Sequence, residues 1–165
     1  MAQGDLVQRM LGAATLNVDT YEEVEADESA TMQAAAVVAM VAVSAAIGQV
    51  GGSGGSIITA PISAIIGWVI WAGLTYLIGA KLLGGTATWG ELLRTLGFAQ
   101  SPGVLYLFAV LPFIGGSVRF IIWAWIVVAG VIAIRQALDF STGKAILTAV
   151  IGFLPFAIAF SLIVG

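Results

Sequence analysis

Between Met32 and Gly165 the sequence consists of long apolar stretches, and almost every charged residue lies between them. Hydrophobic residues make up 60% of the chain and charged residues 9%, whereas a soluble domain carries roughly 25% charged residues. So few polar groups do not suffice to cover the surface of a globular protein in water. The sequence therefore predicts an all-α protein, a polytopic transmembrane helical bundle.

Five spans are expected, since an α-helix needs roughly 20 apolar residues to cross a bilayer. Residues 104–134 are apolar apart from Arg119, and one helix of that length would hold this arginine in mid-membrane, at a cost of roughly 2.5–3.5 kcal/mol. We therefore expect two short spans here, joined by a tight turn that lets Arg119 reach the surface. The predicted spans of the membrane domain, 32–165, are 32–50, 57–83, 104–118, 120–138 and 145–164.

Two short amphipathic helices are expected to lie at the membrane surface. The first is in the amphipathic and acidic segment 1–31, where Arg9 lies on another face than the apolar residues. In the same segment Thr20 and Glu23 have the spacing of a capping box, and so do Thr88 and Glu91 before the second surface helix, 89–98. The apolar residues at helical spacing are Leu6, Val7, Met10, Leu11 and Ala14 in the first helix and Leu92, Leu93 and Leu96 in the second.

The positive charges predict the orientation, because cytoplasmic loops carry an excess of Lys and Arg. With five spans and a cytoplasmic N-terminus, Arg119 alone faces outside. We expect a multi-pass protein of the plasma (inner) membrane with residues 1–31 in the cytoplasm. The topology-setting residues are Lys81, Arg94, Arg135 and Lys144, and Arg9 lies on the same side.

Composition excludes several kinds of chemistry. The chain has no Cys and no His, so zinc sites, haem ligation by His and Cys or His nucleophile pairs are not expected. No Asp, Glu, Lys or Arg lies deep in a predicted span, which argues against a proton-coupled pump. The acidic run 19–28 is typical of a solvated face rather than a metal site, and it argues against nucleic acid as a partner. We expect no enzymatic activity and no cofactor.

Small residues four apart allow helix backbones to approach closely, which replaces the hydrophobic drive that is lost in lipid. Such rows serve internal packing or, when they lie on the outside, a partner interface. Trp68 and Trp71 share one face of the second span, where they contact lipid or a neighbouring helix, or a pigment, quinone or partner helix. The candidate packing or partner residues are Ser63, Gly67, Trp68, Trp71, Ala129, Ala133 and Ala137.

Several short motifs occur in a familiar order over residues 18–160. They are the acidic stretch 18–27, Gly84-Gly85, the segment 89–98 with Gly97-Phe98-Ala99, Ser101-Pro102, Ile134-Arg135-Gln136-Ala137-Leu138 and Ser141-Thr142-Gly143-Lys144-Ala145. Taken together, they resemble the Ypt-interacting-protein (Yip) family of five-span membrane domains, in its short prokaryotic form. Eukaryotic members act in vesicle traffic, where they bind Rab-type GTPases and one another. Their long cytoplasmic N-terminal domain has no counterpart here, so GTPase binding is not expected.

The resemblance implies a non-enzymatic membrane adaptor or scaffold whose partners are the lipid bilayer and other membrane proteins, or further copies of itself. One alternative is a small accessory subunit of a photosynthetic or respiratory membrane complex, in contact with pigments or quinones. Another is a transporter of an uncharged solute, which would need a polar cavity at the midplane that involves Thr59 or Tyr76.

Overall fold

A computed structural model describes residues 5–48, 57–111 and 113–164, and within these ranges the chain is helical and contains no strand. α1 and α2 precede the apolar part of the chain, and α5 interrupts it. The helices are α1 (Leu6–Ala14), α2 (Val18–Ala26), α3 (Ala30–Gly48), α4 (Thr59–Thr75) with a π-helix (Tyr76–Leu82), α5 (Trp89–Phe98), a 3₁₀-helix (Ser101–Val110), α6 (Gly115–Ala137) and α7 (Thr142–Val164).

Three helices of the described residues are long and apolar enough to cross a membrane: α3, α4 with its π-helix, and α6. They correspond to the predicted spans 32–50, 57–83 and 120–138, so the chain is a helical membrane protein. α7 is apolar over Thr142–Ile158 and corresponds to the predicted span 145–164. The count of five spans stays a prediction.

The predicted third span, 104–118, does not form one α-helix. Pro102 lies in the first turn after α5 and cannot donate a backbone hydrogen bond, so the chain continues as a 3₁₀-helix up to Val110. α5 and the 3₁₀-helix together follow α3 in the same direction, because Gly97 packs against Ala34 and Gly103 against Val41. Ten α-helical and ten 3₁₀ residues extend for about 35 Å. The segment that follows α3 is therefore 89–110 rather than 104–118.

Arg119 lies in the second turn of α6, since this helix already begins at Gly115. The turn that precedes it lies before Gly115 rather than at residues 115–117. Arg119 Nη1 donates to the carbonyl oxygen of Gly48, the last residue of α3, over 3.2 Å. Carbonyls at the end of a helix have no partner within the helix, so the guanidinium caps α3. Arg119 thus lies at one end of the bundle, as expected from the cost of burying it in lipid.

α5 is a buried helix and not a surface helix as predicted. Its capping box is present as predicted: the Thr88 hydroxyl accepts from the Glu91 amide and the Glu91 carboxylate accepts from the Thr88 amide. Most of the helix, however, is buried against α2, α3, α4 and α6. At Gly97 an added Cβ would lie 2.7 Å from Cβ of Ala34, so only glycine allows α3 and α5 to approach this closely.

α1 turns its arginine inward, which is the reverse of the predicted arrangement. Arg9 is only 3% exposed, whereas Val7 and Leu11 are 56% and 62% exposed. The interior offers Arg9 carboxylate partners, which outweigh the preference of a charge for water. The capping box predicted at Thr20 is wrong, because α2 begins at Val18 and the side chain of Asn17 accepts from the Asp19 amide.

Candidate functional sites

α1 and α2, which we call the cap, are held on the bundle by an arginine from within. Arg9 donates to the Glu23 carboxylate over 2.9 Å and to Asp27 over 2.6 Å, and its Nη1 donates to Gln33 in the first turns of α3 over 2.9 Å. A buried guanidinium is stable only when it is paired and hydrogen-bonded in this way. Hydrogen bonds from Ser29 and from Arg9 lower the pKa of Asp27, which therefore stays ionised. These contacts join α1, α2 and α3.

A second arginine holds the cap from the side of α5. Arg94 is buried, and its Nε donates to the carbonyl oxygen of Val24 over 2.9 Å and to that of Glu25 over 3.1 Å. Its Nη2 also donates to the Glu25 carbonyl. These carbonyls belong to the last turn of α2, where no backbone donor is available, so the guanidinium acts as a C-terminal cap. On α6, Trp125 Nε1 donates to the Ala14 carbonyl at the end of α1 over 2.8 Å.

Where α2 of the cap meets α5 and the end of α6, four carboxylates from three segments of the chain form what we call the carboxylate cluster: Glu22, Glu25, Glu91 and Asp139. Three of them are fixed by hydrogen bonds. Glu22 accepts from Gln136 over 3.1 Å, Asp139 accepts from the Thr86 hydroxyl over 2.6 Å, and Glu91 belongs to the capping box of α5. Within the described ranges the carboxylates do not form a group of three or more that could hold a metal ion.

Glu25 is the partly buried member of the carboxylate cluster on α2. Burial, followed by repulsion from Glu91, Asp139 and Glu22, raises the pKa of Glu25 to about 7, and the nearby Arg94 only partly opposes this. A carboxylate that is disfavoured by its neighbours gains free energy from an added cation. Glu25 is therefore an electrostatically unsatisfied carboxylate within the cluster.

The four topology-setting residues lie towards the same end of the bundle as the cap. Lys81, in the last turn of the π-helix, is exposed above the Tyr76 ring at 5.2 Å, and Lys144 is exposed in the first turn of α7. Arg135 lies in the last turn of α6. Arg94 differs from these three, because it is buried and its guanidinium donates hydrogen bonds to the cap. Its role as a structural anchor was not apparent from the sequence.

The predicted packing residues lie inside the chain. Ala129, Ala133 and Ala137 are buried on one face of α6, so this row packs within the protein and is not available to a partner. On α4, Gly67 is buried and Ser63 is partly buried.

An apolar cavity of about 610 Å³ lies between α4, α5, α6 and α7, and we call it the lateral cavity. Trp68 and Trp71 both line it. Trp68 Nε1 donates to the Leu93 carbonyl over 2.9 Å, and the ring of Trp71 meets that of Phe156 edge-on at 5.2 Å between centroids. Small-molecule sites in proteins usually measure roughly 300–1,000 Å³. The two tryptophans that the sequence placed on one face thus form a wall of a cavity of ligand size.

The lateral cavity opens sideways between α6 and α7. Its inner wall contains buried residues such as Leu96, whereas Trp123 on α6 and Phe153 on α7 are 56% and 64% exposed. Apart from the tryptophan indoles, Gln100 is the polar side chain among its described lining residues. The sequence interpretation missed Gln100, because this residue lies between the predicted surface helix 89–98 and the predicted span 104–118. The sequence signal that could have indicated Gln100 is Pro102, two residues later. Because a proline cannot donate a backbone hydrogen bond, the chain continues after α5 as a 3₁₀-helix.

The helices and the laterally exposed apolar surface define the chain as a helical integral membrane protein. A family model described as the Yip1 domain matches residues 17–164, so the chain belongs to the Yip1 domain family. The resemblance to the Yip family seen in the sequence is thereby confirmed. No curated protein and no solved structure matches the chain.

Proposed function

We propose that the protein is a non-enzymatic membrane adaptor that holds a partner membrane protein through the carboxylate cluster. The observation that carries this proposal is that three separate segments bring the carboxylates of Glu22, Glu91 and Asp139 close enough to Glu25 to repel its ionised form. Family membership supports a role in the membrane.

The partner's expected chemistry follows from membrane topology. The cytoplasmic flanks of membrane proteins carry an excess of Lys and Arg, so they present positive charge next to the bilayer. A carboxylate cluster at the cytoplasmic end of this bundle would meet such a flank at the same height. The attraction would also favour the ionised form of Glu25, so that binding is coupled to loss of a proton.

Orientation is part of the proposal: the cap faces the cytoplasm, and the membrane is the plasma membrane. The chain has no Cys, so a single introduced cysteine can be labelled without background from other thiols of the protein. Ser141 and Ser117 are exposed at opposite ends of α6. In intact cells an impermeant thiol reagent should label Ser117→Cys and should label Ser141→Cys only after lysis. Labelling of Ser141→Cys in intact cells would reverse the orientation.

A peptide-binding experiment tests the adaptor role. The full chain is placed in nanodiscs of phosphatidylcholine, and a fluorescent Lys-rich peptide that mimics a juxtamembrane segment is titrated in. The double variant Glu22→Gln, Asp139→Asn removes two charges while leaving oxygens that still accept from Gln136 and Thr86. We expect the Kd to rise roughly fivefold, which corresponds to two partly exposed ion pairs.

The matched control is Asp5→Asn, Asp19→Asn, which removes two exposed charges that do not belong to the cluster. The control should keep the Kd of the unaltered protein, and added salt should weaken binding to both. Equal Kd values for the two double variants would reject the carboxylate cluster as the binding surface.

A second candidate function is supported by the aromatic lining of the lateral cavity, as in an accessory subunit that contacts pigments or quinones. Co-purification from native membranes with a coloured or redox-active complex would favour it. The transporter alternative has less support, because Thr59 and Tyr76 are not among the residues that line this cavity.

A further inference from the structure

Gln100 lies near the middle of the bundle, measured along α3. It comes three residues after Gly97, which packs against Ala34, and three residues before Gly103, which packs against Val41. Its level is thus between Ala34 and Val41 on α3, a helix long and apolar enough to cross a membrane. The side-chain amide of Gln100 is therefore held at hydrocarbon depth.

The side chain of Gln100 has no hydrogen-bond partner within residues 5–48, 57–111 and 113–164, although its backbone is satisfied. Its amide donates to Gly97 over 3.2 Å, and its carbonyl accepts from Gly103 over 2.7 Å. A polar group without a partner is unfavourable in an apolar medium, and polar residues at membrane depth usually face a ligand pathway or a partner. A group that offers a carbonyl or a hydroxyl inside the cavity would satisfy this amide.

The opening of the lateral cavity favours a molecule of the bilayer as its occupant. The rim is formed by Trp123 on α6 and Phe153 on α7, whose side chains are exposed. A hydrocarbon chain can enter from the bilayer between these two side chains.

The polarity of the cavity limits the head group of such a molecule. The described lining contains no Asp, Glu, Lys or Arg, so a charged head would lose its hydration without gaining an ion pair. An uncharged head with a carbonyl or hydroxyl loses far less and can bond to Gln100.

We propose that the lateral cavity is a binding site for an uncharged membrane amphiphile, with a hydrocarbon tail against the aromatic residues and a carbonyl or hydroxyl head hydrogen-bonded to Gln100. Acylglycerols and isoprenoid quinones share this chemistry. The site is separate from the carboxylate cluster and does not depend on the adaptor role.

Photo-crosslinking in nanodiscs tests the site. The probes are a monoacylglycerol and a phosphatidylcholine that carry the same diazirine tail. The variant Gly130→Leu places a larger side chain in the lining of the cavity, at a position where an added Cβ meets nothing within 4 Å. Gly116→Leu is the matched control on the same helix, since position 116 is equally open but lies outside the cavity.

We expect the monoacylglycerol to label the described lining of α4, α6 and α7 in the unaltered protein and in Gly116→Leu, and to lose most of this labelling in Gly130→Leu. Gln100→Leu should reduce labelling roughly fivefold, as for the loss of one hydrogen bond. Competition by unlabelled monoacylglycerol or by a decyl-substituted benzoquinone shows which source binds more tightly.

Three results would overturn the proposal. Equal labelling by phosphatidylcholine would mean that bulk lipid merely fills the space. Unchanged labelling in Gly130→Leu would place the probe elsewhere, and unchanged labelling in Gln100→Leu, with the variant folded as judged by its circular dichroism, would remove the polar contact.

Discussion

The cap and the lateral cavity are built from opposite kinds of interaction. The cap is held by directional polar contacts, in which Arg9 and Arg94 reach into the interior to bind carboxylates and backbone carbonyls. The walls of the lateral cavity are apolar helices that pack through small and aromatic residues, and there the side chain of Gln100 has no hydrogen-bond partner among the described residues. Charge therefore specifies the position of the cap, whereas shape specifies the cavity.

This difference indicates which kind of partner each region can bind. In the cap, Arg9 is paired with carboxylates inside the protein. Other carboxylates remain at the surface, so this surface favours a positively charged partner. The cavity has packed its small residues internally and leaves an opening towards lipid, so it favours an apolar molecule. Substitutions that act on one region and not on the other test whether the two are independent.

The largest expected effect is that of Arg94→Met. This change leaves the Val24 and Glu25 carbonyls without their donor, which should destabilise the docked cap by about 3 kcal/mol. Hydrogen exchange at the amides of α2 should become faster while that of α6 stays unchanged. Lys81→Met, at an exposed lysine, is the control and should leave both rates unchanged. Faster exchange in α6 as well would show that cap and bundle form one cooperative unit.

A smaller effect is expected for Gly97→Leu, which acts on the bundle. An added Cβ would lie 2.7 Å from Cβ of Ala34, so α3 and α5 must move apart, at a cost of about 2 kcal/mol. The melting temperature should fall in the same detergent or nanodisc. Gly130→Leu provides the comparison, because its Cβ meets open space. Equal melting temperatures for the two variants would contradict the close approach of α3 and α5.

The smallest effect is the pH dependence that arises from Glu25, because its side chain is only partly buried and solvent screens the repulsion. Burial and like charges raise its pKa from 4.5 to about 7, so the folded state binds this proton more tightly than the unfolded state does. Stability should therefore fall as the pH rises from about 4.5 to about 7, since the carboxyl ionises in this window. Glu25→Gln should flatten that slope and raise the melting temperature above pH 7.

The control for this change is Glu28→Gln, which alters an exposed residue of the same segment. It should keep the slope of the unaltered protein. A slope that survives Glu25→Gln would assign the pH dependence to another group.

Local signals predicted local structure well. Thr88 and Glu91 form their capping box, Ser141 accepts from the Lys144 amide at the start of α7, and the glycine pair after the second span contains the positive φ of Gly84. Each of these depends on neighbours within a few residues. The prediction at Thr20 failed because Asn17 provided a competing cap three residues earlier.

Helical periodicity also identified which residues share a helix face, but not whether that face contacts lipid or another helix. The row from Ala129 to Ala137 and the pair Trp68 and Trp71 each share a face, as predicted. Whether such a face meets lipid or protein is not encoded in its spacing. The amphipathic pattern of α1 was misleading for the same reason, because the partners that bury Arg9 come from α2 and α3.

The sequence by itself determined the membrane environment, the helical class and the approximate extents of α3, of α4 with its π-helix and of α7, since these depend on composition and on contacts between near neighbours. Only the tertiary structure decided that Arg9 and Arg94 are buried, that α5 lies inside, and that Gln100 points into a cavity. The physical reason is that an apolar helix face is almost equally stable against lipid and against another helix. The choice between these two surroundings is made by close packing and by polar partners from distant parts of the chain.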